Sequence, residues 1–308
     1  MVLALALIPV IGLMAFIYFN DKKEKEPVGL LIGLFFAGLG TVIPAVILEL
    51  IGKLVLNAAM PEQSVMKEVL DAMLIVGTAE EICKFLVLWL FTWRNKQFNY
   101  SYDAIVYSVF VSLGFAAIEN ILYVFSNGIS TAVLRMFTAV PGHACFAVFM
   151  GFFYSKAKYA ALTNKKRSCR GNFLLAIFIP IVLHGIYDAI LMGARVSEAE
   201  LGAGLALILW IGFVIALFVV SCIIIVKSSR NDFCIVTLPE KVQYVYRPKI
   251  VGNWTCECGS VNRLNFCPKC GKQRPAGTVW YCAKCGTPSG LNFCGNCGSP
   301  KPEFNAPA

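Results

Sequence analysis

The stretch DAIVYSVFVSLGFAAIENILYVF (103–125) is long and apolar enough to cross a membrane as a helix. The hydrocarbon core of a bilayer is roughly 30 Å thick, and about 20 apolar residues of helix span it. Apart from Asp103 at its start, the stretch contains one charged residue, Glu119. Because a charge at membrane depth is costly, such a residue is usually functional. The stretch therefore predicts both a membrane span and a polar site within it.

Six other apolar stretches follow the same pattern, and the seven together predict an all-α, polytopic membrane bundle. The predicted spans are 1–19, 28–52, 70–93, 103–125, 137–155, 172–192 and 203–226. The chain is 58% hydrophobic and only 15% charged, whereas soluble domains carry about 25% charged residues. We therefore expect a membrane domain at 1–227, a linker or small hairpin at 228–253 and a cysteine-rich tail at 254–308.

The distribution of basic residues predicts how the bundle is oriented. With the N-terminus outside, the inner loops hold eleven lysines and arginines near the spans and the outer loops hold four. Cytoplasmic loops carry this excess in membrane proteins. The lysines that follow the first span (Lys22, Lys23 and Lys25) indicate a membrane span and not a cleaved signal peptide. We expect the N-terminus outside, the tail in the cytoplasm, and the net charge of +9 to reflect topology.

Four predicted spans carry charged or imidazole side chains at similar depth. These residues are Glu80, Glu81, Lys84, Glu119, His143, His184 and Asp188. At about 1.5 Å per helical residue, the carboxylates and histidines lie about 9–15 Å below the outer surface. Helical periodicity also places Glu80 beside Lys84 and His184 beside Asp188. We expect these side chains to meet in one water-accessible site.

The residue types suit hydrolytic chemistry at such a site. Two neutral histidines and a carboxylate can hold a divalent metal, most readily zinc, with one position open for water. A further glutamate could then accept the proton of that water. Three other readings remain open at this point: interhelical pairs that stabilise the bundle, a non-catalytic scaffold or sensor that recruits partners through the tail, and an ion or solute transporter.

Four motifs in order resemble those of a known family. Residues 80–84 read EExxK, residues 115–120 read FxxxEN, His143 follows Pro-Gly, and residues 184–188 read HxxxD. Over roughly residues 25–195 the chain resembles the PrsW family of membrane proteases, which is related to the type II CAAX prenyl endopeptidases.

The resemblance implies a glutamate-dependent membrane endopeptidase. Glu80 or Glu81 would be the general base, and Asp188 would support the site. The residues that would hold a metal or stabilise the oxyanion are Glu119, His143 and His184. The resemblance also implies a membrane-anchored regulatory protein as substrate, such as an anti-sigma factor.

The tail contains an internal repeat that predicts two metal sites. LNFCPKCG (264–271) matches LNFCGNCG (291–298), and a tryptophan with a cysteine pair precedes each copy. Pairing adjacent cysteines predicts two structural zinc sites, formed by Cys256, Cys258, Cys267 and Cys270, and by Cys282, Cys285, Cys294 and Cys297. The tail resembles a double zinc ribbon. We expect it to dock a cytoplasmic protein partner in preference to nucleic acid.

Overall fold

The computed structural model divides the chain into two units, Met1–Leu238 and Pro239–Ala308. The structure describes residues 2–196, 200–236, 254–262, 267–273, 280–289, 293–294 and 296–300. The predicted linker or hairpin at 228–253 lies largely outside these residues. Its described part begins with the end of a long helix, after which Cys234 forms an isolated bridge with Tyr100.

The first unit is helical, and the prediction of an all-α membrane bundle is confirmed. Its elements are α1 (Val2–Asn20), α2 (Val28–Gly40), α3 (Val42–Ala59), α4 (Val65–Leu70), a π-helical turn (Asp71–Val76), α5 (Gly77–Thr92), α6 (Asp103–Asn127), α7 (Ile129–Phe137), α8 (Ala139–Leu162), α9 (Lys166–Val196) and α10 (Glu200–Arg230). Each of the seven predicted spans coincides with one or two of these helices.

Five helical segments of the described chain are long and apolar enough to cross a membrane. They are Val28–Ala59, Asp103–Asn127, Ile129–Leu162, Lys166–Ala194 and Gly204–Arg230. The first predicted span appears as a shorter apolar helix, Ala6–Asn20. The third predicted span carries Glu80, Glu81 and Lys84, which lower its hydropathy. Length and composition alone thus support five of the seven predicted spans.

Helix α6 lies at the centre of the bundle, where it packs against α1, α2, α5 and α8. In the most apolar stretch of α6, 78% of the residues are buried. The corresponding share for the segment Gly204–Arg230 is 22%. Glycines let its neighbours approach closely: a Cβ on Gly114 would lie 2.0 Å from the Phe35 carbonyl oxygen, and one on Gly151 would lie 2.5 Å from that of Ala104. Small residues at helix contacts are typical of membrane bundles. This packing holds α6 closely against α2 and α8.

The described residues of the tail unit form two short antiparallel ribbons. Strand β1 (Trp254–Thr255) pairs with β2 (Val261–Asn262), and β3 (Trp280–Tyr281) pairs with β4 (Pro288–Ser289). Each strand is two residues long. Ribbons of this length bury little apolar surface, so they need another source of stability.

Candidate active site

The polar residues of α5, α6, α8 and α9 meet at one place in the bundle. Buried among them are Glu80, Glu81, Lys84, His143 and His184, while Glu119 and Asp188 are partly exposed at the edge. The structure therefore brings together all seven polar residues that the sequence placed at one depth.

Lys84 lies at the centre of this group. Its Nζ is 2.9 Å from Glu80 Oε2, 2.8 Å from Glu81 Oε1 and 3.2 Å from His143 Nδ1. It also lies 4.0 Å from the centre of the Phe115 ring, a distance suited to a cation–π contact. The single ammonium group thus partly offsets two buried carboxylates, which could not remain ionised without a partner.

Both imidazole nitrogens of His143 have side-chain partners. Nδ1 faces Lys84, and Nε2 lies 2.7 Å from Glu119 Oε2. The position of α8 relative to α6 is held nearby by Ser112, whose hydroxyl donates to the carbonyl oxygen of His143 at 2.9 Å. A carboxylate on one nitrogen fixes the orientation of the ring and the tautomer that it presents on the other.

His184 repeats this arrangement from α9. Its Nδ1 lies 3.0 Å from Glu81 Oε1 and 3.9 Å from Glu80 Oε2, and its Nε2 lies 3.3 Å from Asp188 Oδ2. The ring of Phe146 stacks on the imidazole with a centroid distance of 4.8 Å and an interplanar angle of 19°. The two histidines therefore each direct Nε2 toward an outer carboxylate, whereas Nδ1 faces Lys84 in His143 and the glutamates of α5 in His184.

Arg135 completes the outer part of the site, although no motif in the sequence marks it as a site residue. Its guanidinium lies 3.1 Å from Glu119 Oε2, and its Nε donates to Asn120 Oδ1 at 2.9 Å. Asn120 in turn donates to the carbonyl oxygen of Ala6 at 3.0 Å. The asparagine of FxxxEN thus links α1 to α7. In the sequence, the only indication that Arg135 belongs to the site is its positive charge close to a predicted span.

A π-helical turn and a pair of glycines set the distance between α5 and α9. The turn at Asp71–Val76 leads directly into the helix that carries both glutamates, and π-helical turns frequently occur at functional sites. A Cβ on Gly185 would lie 2.8 Å from the Cα of Met73, and one on Gly77 would lie 3.1 Å from the nitrogen of Gly185. Gly185 therefore lets α9 approach closely enough for His184 to reach Glu81.

The chemistry of the donor set fits a divalent metal. Glu80, Glu81, His143 and His184 each offer a ligand atom, and these atoms lie within 4.8 Å of one another. Glu81 Oε2 is buried and has no hydrogen-bond partner, so it is available as a ligand. Glu119, which the sequence predicted as a ligand, lies outside this set of four. A metal bound here would take over from the Lys84 ammonium as the partner of Glu81, while Lys84 would remain paired with Glu80.

The eight tail cysteines form the two groups of four that adjacent pairing predicted. The closest Sγ–Sγ distances are 3.4 Å for Cys256–Cys270 and 3.3 Å for Cys282–Cys297. Zinc–sulfur bonds of about 2.3 Å in a tetrahedron place the sulfurs about 3.8 Å apart. Both clusters therefore fit zinc, and the tail fits a double zinc ribbon.

The CxC pair differs from the three CxxC pairs in its backbone loop. The amide of Cys256 donates to the carbonyl oxygen four residues later, at Ser260, whereas the amide of Cys267 reaches five residues ahead, to Lys272. Each of the four loops closes on a glycine with positive φ: Gly259, Gly271, Gly286 and Gly298. The loop at Cys256 is thus one residue shorter and still brings its sulfurs to the cluster.

Comparison with known proteins identifies the family. Residues 26–223 match the family model described as PrsW family intramembrane metalloprotease. The chain belongs to this family. It is 38% identical to Protease PrsW of Geobacillus kaustophilus over 184 residues, which are 60% of this chain and 76% of that protein.

Two further relatives support the assignment to the PrsW family. The chain is 36% identical to Protease PrsW of Oceanobacillus iheyensis and 32% identical to that of Bacillus subtilis. Each match covers 62% of this chain, together with 83% and 82% of the respective relatives. No solved structure matches the chain. The predictions of a membrane-embedded PrsW-type peptidase with a zinc-ribbon tail are confirmed.

Proposed function

We propose that this PrsW-family peptidase cleaves a membrane-anchored protein with a water molecule activated at Glu80. One observation carries the proposal: Glu80, Glu81, His143 and His184, from three helices, offer ligand atoms within 4.8 Å of one another in a buried part of the bundle. Buried clusters of ionisable side chains within a membrane bundle are typical of functional sites.

The two adjacent glutamates take different roles in this proposal. Glu81 is fully buried, approaches His184 at 3.0 Å and has a second oxygen without a partner. Together with Nδ1 of His143 and Nδ1 of His184, it would hold a divalent metal. A bound metal would polarise the substrate carbonyl and make water a stronger acid at neutral pH. Glu119 and Asp188 then act as positioning residues for the two imidazoles.

Glu80 is better placed to exchange protons. It retains a small exposed fraction, whereas Glu81 has none, so Glu80 is the carboxylate that water reaches. It accepts a proton as the water oxygen attacks the scissile carbonyl carbon. It then returns that proton to the leaving nitrogen as the peptide bond breaks. Lys84, 2.9 Å away, holds the Glu80 carboxylate in position for both transfers.

The location of the site limits the class of substrate. A protein that is itself anchored in the bilayer can bring one of its peptide bonds to a site within a membrane bundle, so we expect a substrate of this class. The substrate that the family resemblance implies, a regulatory protein such as an anti-sigma factor, satisfies this condition. We propose that the N-terminus lies outside and that the tail, folded on two zinc ions, docks a protein partner in the cytoplasm.

Cleavage of a membrane-anchored reporter in proteoliposomes tests the proposal. His143→Ala and His184→Ala should each lose cleavage while retaining the elution profile and helical content of the wild type. Glu62→Gln, at an exposed acidic residue outside the site, is the matched control and should cleave normally. Undiminished cleavage by both histidine variants would contradict the proposed site.

A further inference from the structure

We propose that Asp21, Glu26 and Asp103 form a second, separate site, which binds one hard divalent cation, Mg²⁺ or Ca²⁺. Asp21 and Glu26 lie between α1 and α2, and Asp103 is the first residue of α6. Asp103 precedes Glu119 by sixteen residues of the same helix, or about 24 Å. The cluster is therefore remote from the candidate active site.

The geometry of the three carboxylates suits a cation with oxygen ligands. Each offers one oxygen, and these oxygens lie within 4.8 Å of one another. Calcium–oxygen distances of about 2.3–2.6 Å allow two ligands to be as much as about 5 Å apart across the ion, and magnesium requires a slightly tighter arrangement. One ion could therefore contact all three carboxylates with little movement of the chain.

Buried oxygen atoms without partners point independently to a missing ligand. Asp21 is 1% exposed and neither of its carboxylate oxygens has a hydrogen-bond partner, and Asp103 Oδ1 also lacks one at 0% exposure. Beside the cluster, the Tyr102 hydroxyl and Asp232 Oδ2 are buried without a partner as well. Leaving such groups unpaired is expensive, and a cation among them removes much of that cost.

The remaining oxygens of the cluster are held in place by neighbouring donors. Glu26 Oε2 accepts a hydrogen bond from the Tyr107 hydroxyl at 2.5 Å. Asp103 Oδ2 accepts from the backbone amides of Asn99 and Tyr100, at 3.0 and 2.7 Å. These bonds orient the two carboxylates before any ion binds, as in a preformed site.

No basic side chain among the described residues forms an ion pair with the cluster. Lys25 is the nearest in sequence, but its ammonium donates to the backbone carbonyls of Tyr18 and Asp21. Three buried carboxylates repel one another, the Lys25 ammonium near Asp21 offsets only one of their charges, and a divalent ion would offset the other two. Hard oxygen donors favour Mg²⁺ or Ca²⁺ over the softer ions that suit the cysteine clusters.

A cation at this position would connect the segment between α1 and α2 to the start of α6. Since α6 is the central helix and carries Glu119, ion binding should stabilise the whole membrane unit. Ligands that bind only the folded state raise its stability in proportion to the logarithm of their concentration.

Two measurements on the full-length, detergent-purified protein test the inference. Thermal unfolding with MgCl₂ or CaCl₂ at 100 times the dissociation constant should raise Tm by about 5 °C or more. The ion that produces the larger shift identifies the resident cation. Asp21→Asn and Asp103→Asn should remove the shift, whereas Glu62→Gln should retain it. Because each substitution removes a buried negative charge at nearly constant shape, both variants should fold without the ion.

Equilibrium dialysis with calcium or magnesium chloride gives a result that does not depend on these variants folding. The wild type should bind one such ion per chain, and so should a Glu80→Gln, Glu81→Gln double variant, which separates this site from the active site. The inference is overturned if the wild type binds neither ion. It is equally overturned if binding disappears in the double variant or the Tm shift persists in Asp21→Asn.

Discussion

The carboxylate of Glu119 lies 2.7 Å from Nε2 of His143, the ring nitrogen opposite the one that faces Lys84. A carboxylate in this position orients an imidazole without taking part in the inner ligand set. The site therefore has two layers: an inner group around Lys84, and outer carboxylates that hold the two histidines.

Replacing Glu119 should weaken catalysis without abolishing it. We expect Glu119→Gln to lower the cleavage rate about 10–100-fold, the effect typical of residues that position a ligand. The initial rate on the membrane-anchored reporter measures this. A loss as complete as that of His143→Ala would show that Glu119 belongs to the inner layer.

Replacing Lys84 should make the stability of the bundle depend on a metal. Lys84→Met leaves two buried carboxylates without their ammonium partner, which costs about 3–5 kcal/mol. Thermal unfolding should therefore show a lower Tm, and added zinc should restore part of the loss by pairing with the same two carboxylates. Lys96→Met, at an exposed loop position, is the control and should unfold like the wild type. A Lys84→Met protein as stable as that control would refute the charge-balancing role.

Adding one methyl group at Gly185 should separate α9 from the π-helical turn. The new Cβ would lie 2.8 Å from the Cα of Met73, and backbone shifts of this kind cost about 1–3 kcal/mol. We expect Gly185→Ala to lower both Tm and the cleavage rate, because His184 moves away from Glu81.

Gly193→Ala provides the comparison within the same helix. Its Cβ would meet only Val65 Cγ1, at 3.4 Å, which is ordinary van der Waals contact. Its free energy of unfolding should stay within about 0.5 kcal/mol of that of the wild type, so Tm should change little. If Gly185→Ala and Gly193→Ala lower Tm equally, the close approach of Gly185 to Met73 is not the cause of the effect.

The tail should hold two zinc ions independently of the membrane unit. Elemental analysis should find about one zinc fewer in Cys285→Ser than in the wild type, because three cysteines hold the ion much less tightly than four. Cys222→Ser, at an exposed cysteine outside both clusters, should lose none. Loss of both tail ions in Cys285→Ser would show that the two ribbons do not fold separately.

Helical periodicity and composition predicted much of the site from the sequence. The i,i+4 spacing placed Glu80 beside Lys84 and His184 beside Asp188, and both pairs are in contact in the structure. The cysteine repeat likewise predicted which four sulfurs form each cluster. These relationships lie within one helix or one short repeat, so a local pattern is sufficient to specify them.

Relationships between distant segments were not accessible in this way. The ion pair of Arg135 with Glu119 depends on how α7 folds back after Gly128, whose φ is 82°. The contact of Gly185 with Met73 depends on helix packing. No spacing in the sequence relates Asp21 to Asp103. Such contacts arise only from the three-dimensional arrangement, and residue type alone indicated none of them.

The most direct test of the catalytic assignment is reporter cleavage by Glu80→Gln in proteoliposomes, with the metal content of the same sample measured. We predict folded protein with the wild-type metal content and a cleavage rate lower by about 10²–10⁴-fold, the contribution typical of a general base. Cleavage at the wild-type rate by this variant would contradict the account.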